Sequence, residues 1–146
     1  MPTTYIYTII MAIGLCFCFQ ACSSDDDDIT GTYTITSYGL SGCNDPSLNF
    51  SLNTSSNNGC STFQGEEICV SGSIVINTDN TYSISLKVSL GGFNDNQSAT
   101  GTYTLSGNSI SLCEGSECFD ANISGNSLTI TVPEEEDCDL VITAEK

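Results

Sequence analysis

Strict alternation of apolar and polar residues restricts this chain more than any other feature of its sequence. Tyr82, Ile84, Leu86, Val88 and Leu90 fall on one face of TYSISLKVSL, Leu128, Ile130 and Val132 on one face of SLTITV, and Leu48, Phe50 and Leu52 on one face of SLNFSL. A period of two in segments rich in Thr, Ile, Val and Tyr marks half-buried antiparallel strands. No useful length shows a period of 3.6, so helix is expected to be minor. The strands are punctuated by turn residues. SGNS occurs at 106–109 and again at 124–127, and NTDNTY spans 77–82. Gly and Asn tolerate the positive φ that tight hairpins need. The expected hairpins pair 73–77 with 81–90, 97–105 with 109–113, and 118–123 with 127–132. The segment 53–59 and GGFNDN at 91–96 read as loops, and TFQGEEICV as a strand with a bulge at Gly65. The short echoes TYTI, TYSI and TYTL (32–35, 81–84, 102–105) are what repeated hairpins of this kind demand.

Eight to ten strands joined in sequence must bury one face and manage two edges. Closure into a barrel does both. The expected fold is therefore all-β, a small antiparallel up-and-down barrel of about eight strands, with a two-sheet β-sandwich as the alternative. Its inward face would carry Tyr33, Ile35, Tyr82, Ile84, Leu86, Tyr103, Leu105, Leu128 and Ile130. These are core residues first. Tyr33, Tyr82 and Tyr103 are the candidates for contact with a small ligand, if the interior leaves room for one.

Nine cysteines divide unevenly. Cys16 and Cys18 lie in the apolar run 5–19 and Cys22 at its end, which leaves Cys43, Cys60, Cys69, Cys113, Cys118 and Cys138. An even number in an exported chain reads as three disulfides, with 15 pairings open. CEGSEC places Cys113 and Cys118 across a four-residue loop, where opposed hairpin positions can bridge. Cys60–Cys69 is the next local option, and Cys43–Cys138 would tie the ends together. No Cys-x-x-Cys and no His occur, so a zinc site is not supported.

Residues 5–19, YIYTIIMAIGLCFCF, are uncharged and too short to span a bilayer comfortably. Their length is that of a signal-peptide h-region, and small Ala21 precedes a cleavage point, although MPTT lacks the usual basic residue. Residues 1–21 are expected to be removed as a signal peptide; from 146 residues this leaves 125, enough for one domain. Residues 22–28 would form a tether and 29–146 the domain. The chain carries 18 acids against two lysines, Lys87 and Lys146, for a net charge of −16. That balance argues against nucleic acid, whose phosphates are neutralised by Lys and Arg, and a monomer is expected.

Catalytic machinery is not legible. Without His there is no Ser–His–Asp or Cys–His arrangement, and no Gly-rich phosphate loop appears. Carboxylates of the type that hydrolyses glycosides, Glu66, Glu67, Asp120 and the run at 134–137, read as loop or solvent-facing residues. A non-enzymatic chain with no cofactor and no metal is expected.

Two resemblances extend this reading. Gly31-Thr32-Tyr33, within ITGTYTI at 29–35, resembles the Gly-x-Trp pattern that opens lipocalin barrels, with Tyr in the aromatic place. NTDNTYSISL and ATGTYTLSGNSISL are similar to the middle hairpins of small lipocalin-like domains in Bacteroidota-type lipoproteins. The resemblance covers about residues 29–144 and implies an antiparallel barrel, often with a ligand cavity. Lipocalins pack an Arg from the last strand against that aromatic, and this chain has no Arg. Phe19-Gln20-Ala21-Cys22 resembles a bacterial lipobox. It implies that Cys22 takes a diacylglycerol thioether and an N-terminal acyl chain, together a stable anchor. Ser24, Asp25, Asp26 and Asp27 look like the Ser-plus-acids signal for surface export in such lipoproteins; otherwise they form a solvated spacer. The expected protein is thus anchored in the outer membrane, facing the cell surface, with a barrel that binds a small hydrophobic ligand. The alternative is a structural or interaction module of the envelope that acts through its loops.

Overall fold

The computed structural model describes residues 28–134 and 138–146. The expected signal peptide, the lipidation site Cys22, the export signal Ser24 to Asp27 and most of the acid run at 134–137 lie outside the described residues. Ten strands follow in order: β1 (Gly31–Ser41), β2 (Phe50–Asn53), β3 (Cys60–Phe63), β4 (Glu66–Ile76), β5 (Thr81–Leu90), β6 (Phe93–Ser106), β7 (Ser109–Glu114), β8 (Glu117–Ser124), β9 (Ser127–Glu134) and β10 (Cys138–Glu145).

They form one antiparallel sheet in the order β2-β1-β10-β9-β8-β7-β6-β5-β4-β3, with an additional pairing of β1 to β4. That pairing, Gly31–Thr34 against Ser73–Ile76, closes β1 and β4 to β10 into an eight-stranded up-and-down barrel. Closure decides against the sandwich, which would keep two separate sheets. β2 and β3 are extra strands hung on the far halves of β1 and β4.

The alternation read from the sequence builds the interior. Tyr33, Ile74, Ile76, Tyr82, Ile110, Leu112, Leu128 and Ile130 are essentially inaccessible and belong to one continuous core. In β1 the phase shifts: Ile35 faces Ala144 and Ser37 faces Thr143, so Thr36 is an extra, bulged residue. The bulge turns Tyr38 to the same face as buried Ile142, having left Tyr33 and Ile35 inward before it.

The hairpins join the strands as expected, with differences of extent. Residues 68–76 pair with 82–90, beyond the 73–77 start read from the sequence. Only Thr102–Ser106 of β6 meets β7, while Phe93–Gly101 pairs with β5 alone. In both SGNS turns the Gly carries the positive φ, Gly107 and Gly125 at 60° each, which suits a turn with Gly first. Gly65, expected in a bulge, instead ends a two-residue hairpin turn with Gln64 (φ 88° and 52°), because β3 and β4 pair from Phe63 and Glu66 onward. GGFNDN is likewise mostly strand: only Gly91 and Gly92 form the turn, and Phe93 already pairs with Leu90. Leu48 sits in a 3-10 turn that Asp45 caps from its side chain, so the strand begins at Phe50.

Leu105 is the one expected core residue that is exposed, at 41%. It shares a face with buried Ile110, but β6 overshoots β5, whose first pair is Thr81–Thr102, and leaves Leu105 without a neighbour on that side.

All three expected disulfides are present: Cys43–Cys138, Cys60–Cys69 and Cys113–Cys118. The two local ones join directly opposed residues of β3–β4 and β7–β8, with Cα atoms 3.9 and 4.1 Å apart.

A candidate ligand cleft at the mouth of the barrel

The barrel has two unlike ends. At one end β1 pairs with β4, the turns 76–81, 106–109 and 124–127 gather, and tyrosines close the interior. At the other end β1 and β4 part. β2 follows β1 through Leu40–Phe50 and Tyr38–Leu52, and β3 follows β4 through Ser61–Ile68 and Phe63–Glu66. The two short strands thus face each other across a split seam without pairing in the sheet.

Side chains, not backbone bonds, bridge that seam. Phe50 and Phe63 meet with ring centroids 4.9 Å apart, and Tyr38 stands 6.3 Å from Phe50, all in tilted contact. With Ile68, Val88 and Leu90 they line a cleft of about 430 Å³ that opens at the mouth, and Gln64 and Glu66 complete its lining. The volume lies in the range of small-molecule sites, and the composition is the usual one of apolar walls with few polar groups. Gly91 lets the Glu66 carboxylate lie close to the β5–β6 turn: a Cβ there would stand 3.0 Å from Oε2. Lys87 projects from the opposite face of β5 to Leu86 and Val88, and Lys146 follows β10 at the closed end. The mouth therefore presents a carboxylate and no cation among the described residues.

Two further clefts are less suited to an apolar ligand. One of about 380 Å³ lies along β1 and β2, where Leu40, Phe50 and Val141 alternate with Ser37, Ser41, Asn49 and Ser51, so it lacks a continuous apolar wall. One of about 660 Å³ is lined by Asn58, Cys60, Ser61, Thr62 and Glu67, with polar groups dominant. Beside it, ligand atoms of Cys60, Glu67 and Cys69 lie within 4.8 Å of one another. The two sulfurs are bonded to each other, so neither is the thiolate a metal needs.

The candidate ligand tyrosines sit elsewhere. Tyr33 is fully buried and donates its hydroxyl to the Ile29 carbonyl at 2.7 Å. Tyr103 is 7% exposed and donates to the Asn77 carbonyl at 2.9 Å. Tyr82 is buried with its ring edge-on to Phe119 at 6.3 Å, and its hydroxyl has no partner among the described residues. Burial pushes the Tyr82 phenol above its ordinary value, and the Glu114 carboxylate adds to the shift. None of the three lines the mouth cleft. The cleft residues Tyr38 and Phe63 are not among the candidates read from the sequence, where Phe63 falls in TFQGEEICV, a segment without regular alternation. The sequence signal was there in the phase shift of β1, which puts Tyr38 inward.

The two hydroxyl environments predict opposite responses to the same deletion. Tyr103→Phe strands a carbonyl and is expected to cost about 1–2 kcal/mol, whereas Tyr82→Phe removes an unpaired buried group and is expected to be neutral or stabilising by about 1 kcal/mol. Urea melts of both variants check this, and a Tyr82→Phe loss equal to that of Tyr103→Phe would contradict it.

Comparison with known proteins finds no matching family model, no similar curated protein and no similar solved structure.

Proposed function

We propose that this chain is a lipid-anchored protein of the outer membrane, acylated at Cys22 and facing the cell surface, whose barrel binds a small hydrophobic ligand in the mouth cleft. The observation that carries the reading is the placement of that apolar cleft of about 430 Å³ at the barrel end opposite the tether root. Asp28 and Thr30 are held at the closed end, where the Lys146 ammonium donates to both of their carbonyls. From Cys22 to Asp28 the chain reaches at most about 20 Å. An anchor at Cys22 then sets the closed end toward the membrane and the mouth away from it. The lipobox-like Phe19–Cys22 supports acylation, and Ser24 to Asp27 support surface export.

Native mass spectrometry of cell-derived protein tests the anchor and the ligand together. The expected mass is that of a monomer starting at Cys22 with attached lipid, three disulfides and a co-purified small molecule. Cys22→Ala is expected to move the protein from the detergent-rich to the aqueous phase. Unmodified Cys22 in the native protein overturns the anchor. Asp25, Asp26 and Asp27 changed together to Ala are expected to abolish cleavage by protease added to intact cells.

A second reading, an interaction module of the envelope, has its own observation. Phe93 is 76% exposed and Leu90 47% exposed at the β5–β6 turn, and the Phe93–Gly101 edge pairs only with β5 among the described residues. A partner strand could pair along this edge. A discrete photo-crosslink from position 93 on intact cells, lost when Asn96 is changed to Pro, favours this reading over ligand binding.

A further inference from the structure

The chemistry of the mouth cleft narrows what it can hold. Resting on the reading of this cleft as the ligand site, we infer that its ligand is an amphiphile with a cationic head, an alkyl-substituted ammonium carried on an aliphatic chain. Three observations converge. The lining has an aliphatic part, Ile68, Val88 and Leu90. One wall is aromatic, with Phe50 in contact with Phe63 at 4.9 Å and with Tyr38 at 6.3 Å. The lining also includes the Glu66 carboxylate beside the Gly91 turn. Aromatic faces attract cations through the ring quadrupole, and alkylated ammonium groups lose little hydration when they settle on such a wall. A carboxylate at short range adds a direct charge partner.

The same features reject the commoner anionic amphiphiles. A fatty-acid head in this cleft would lie near Glu66 with neither Lys87 nor Lys146 in reach, on a chain of net charge −16 and without Arg or His. A neutral amphiphile would keep the apolar contacts and gain nothing from the wall or from Glu66. The overall charge also raises the local concentration of cations at the surface. That effect is general to the molecule and falls with salt, whereas the contacts inside the cleft are short-range.

Octyltrimethylammonium, 1-octanol and octanoate, each below its micelle concentration, test the inference on the disulfide-intact protein at about 0.15 M salt, where screening acts within about 8 Å. Calorimetry gives affinities, and ring-proton shifts of Phe50 and Phe63 locate the probe. The ammonium is expected to bind at least tenfold tighter than octanol, and octanoate not measurably. Glu66→Gln, a change at an exposed side chain, is expected to weaken the ammonium about tenfold and leave octanol unchanged. Phe63→Leu should weaken the ammonium more than octanol. Glu117→Gln, an exposed carboxylate outside the cleft, should change neither. Equal binding of ammonium and octanol overturns the cationic preference and leaves the cleft as an apolar site. An equal loss in Glu66→Gln and Glu117→Gln assigns the preference to net charge and overturns it too. Binding of none of the three probes overturns the cleft itself.

Discussion

Cys43→Ser with Cys138→Ser is expected to destabilise the domain by roughly 4–5 kcal/mol, the largest loss of any disulfide here. The bridge spans 95 residues of sequence. In the chain-entropy model, closing a loop of that length removes about 4.7 kcal/mol of freedom from the unfolded chain, against about 2.6 for a span of nine and 2.1 for a span of five. Those shorter spans belong to Cys60–Cys69 and Cys113–Cys118. Native contacts point the same way. Cys43 and Cys138 are 8% and 5% exposed, so serine hydroxyls there would be buried as well. The bridge holds the chain leaving β1 against the start of β10, and the Cys43 N–H donates to Asn49 Oδ1 at 3.1 Å, fixing the approach to β2. Releasing it loosens one side of the split seam, so the mouth cleft should open along with the loss of stability. Thermal melts of the three double-serine variants should rank in the order of loop length, with the midpoint falling by roughly 20 °C or more for Cys43/Cys138. Equal losses from the long and short bridges would mean that native strain, not chain entropy, governs these bonds.

The same bridge shows where the sequence was legible and where it stopped. Pairing in Cys113–Cys118 follows from local spacing, whereas Cys43–Cys138 has no local signal and is what remains once the two short-range pairs are set. The local pairs hold because hairpin register is a local property once the period is two and the turn residues are fixed, whereas Cys43–Cys138 rests on the non-local pairing of β1 with β10. The run from β4 to β10 was readable because register is local: these strands are neighbours in sequence, and each hairpin carries its own signal. Closure was expected from the need to manage two edges, but not the strands that make it, because Gly31–Thr34 meets Ser73–Ile76 across a long stretch of chain, and no local pattern encodes that pair. The cleft was hidden for the same reason. Phe50 lies in a segment whose alternation shows in the sequence and Phe63 in one that has none, and the two rings meet only because each strand follows a different barrel strand. The inward tyrosines were visible as a pattern. Alternation says which face a ring takes, but not whether its hydroxyl finds a carbonyl, as in Tyr33 and Tyr103, or none, as in Tyr82.

Tyr33→Ala is the second large effect, with an expected loss of about 3–5 kcal/mol. Tyr33 is inaccessible to solvent and lies in the stretch of β1 that closes the barrel, opposite Ile74 of β4. Truncating a buried aromatic ring removes its transfer energy and leaves a cavity. Here it also removes the hydroxyl bond to Ile29, which holds the entering chain across the closed end. Above the ring stands the Lys146 ammonium, 5.3 Å from its centroid. The same ammonium donates to the carbonyls of Asp28 and Thr30, so ring, cation and entering chain form one latch. The parts separate by substitution. Tyr33→Phe keeps ring and cation contact and should cost about 1 kcal/mol for the hydroxyl. Lys146→Ala should cost a similar amount, because the ammonium is exposed, and the Tyr33→Ala/Lys146→Ala cycle should give a coupling of about 0.5–1 kcal/mol. With whole-domain stabilities of about 5–15 kcal/mol, the Tyr33→Ala loss alone would bring the barrel near its unfolding threshold. Chemical denaturation of the four variants reads these values directly. A Tyr33→Ala variant within 1 kcal/mol of the parent would show that backbone pairing of β1 with β4 closes the barrel without the latch. A zero coupling with a large Tyr33→Ala loss would assign the effect to core volume and leave Lys146 as a chain clamp alone.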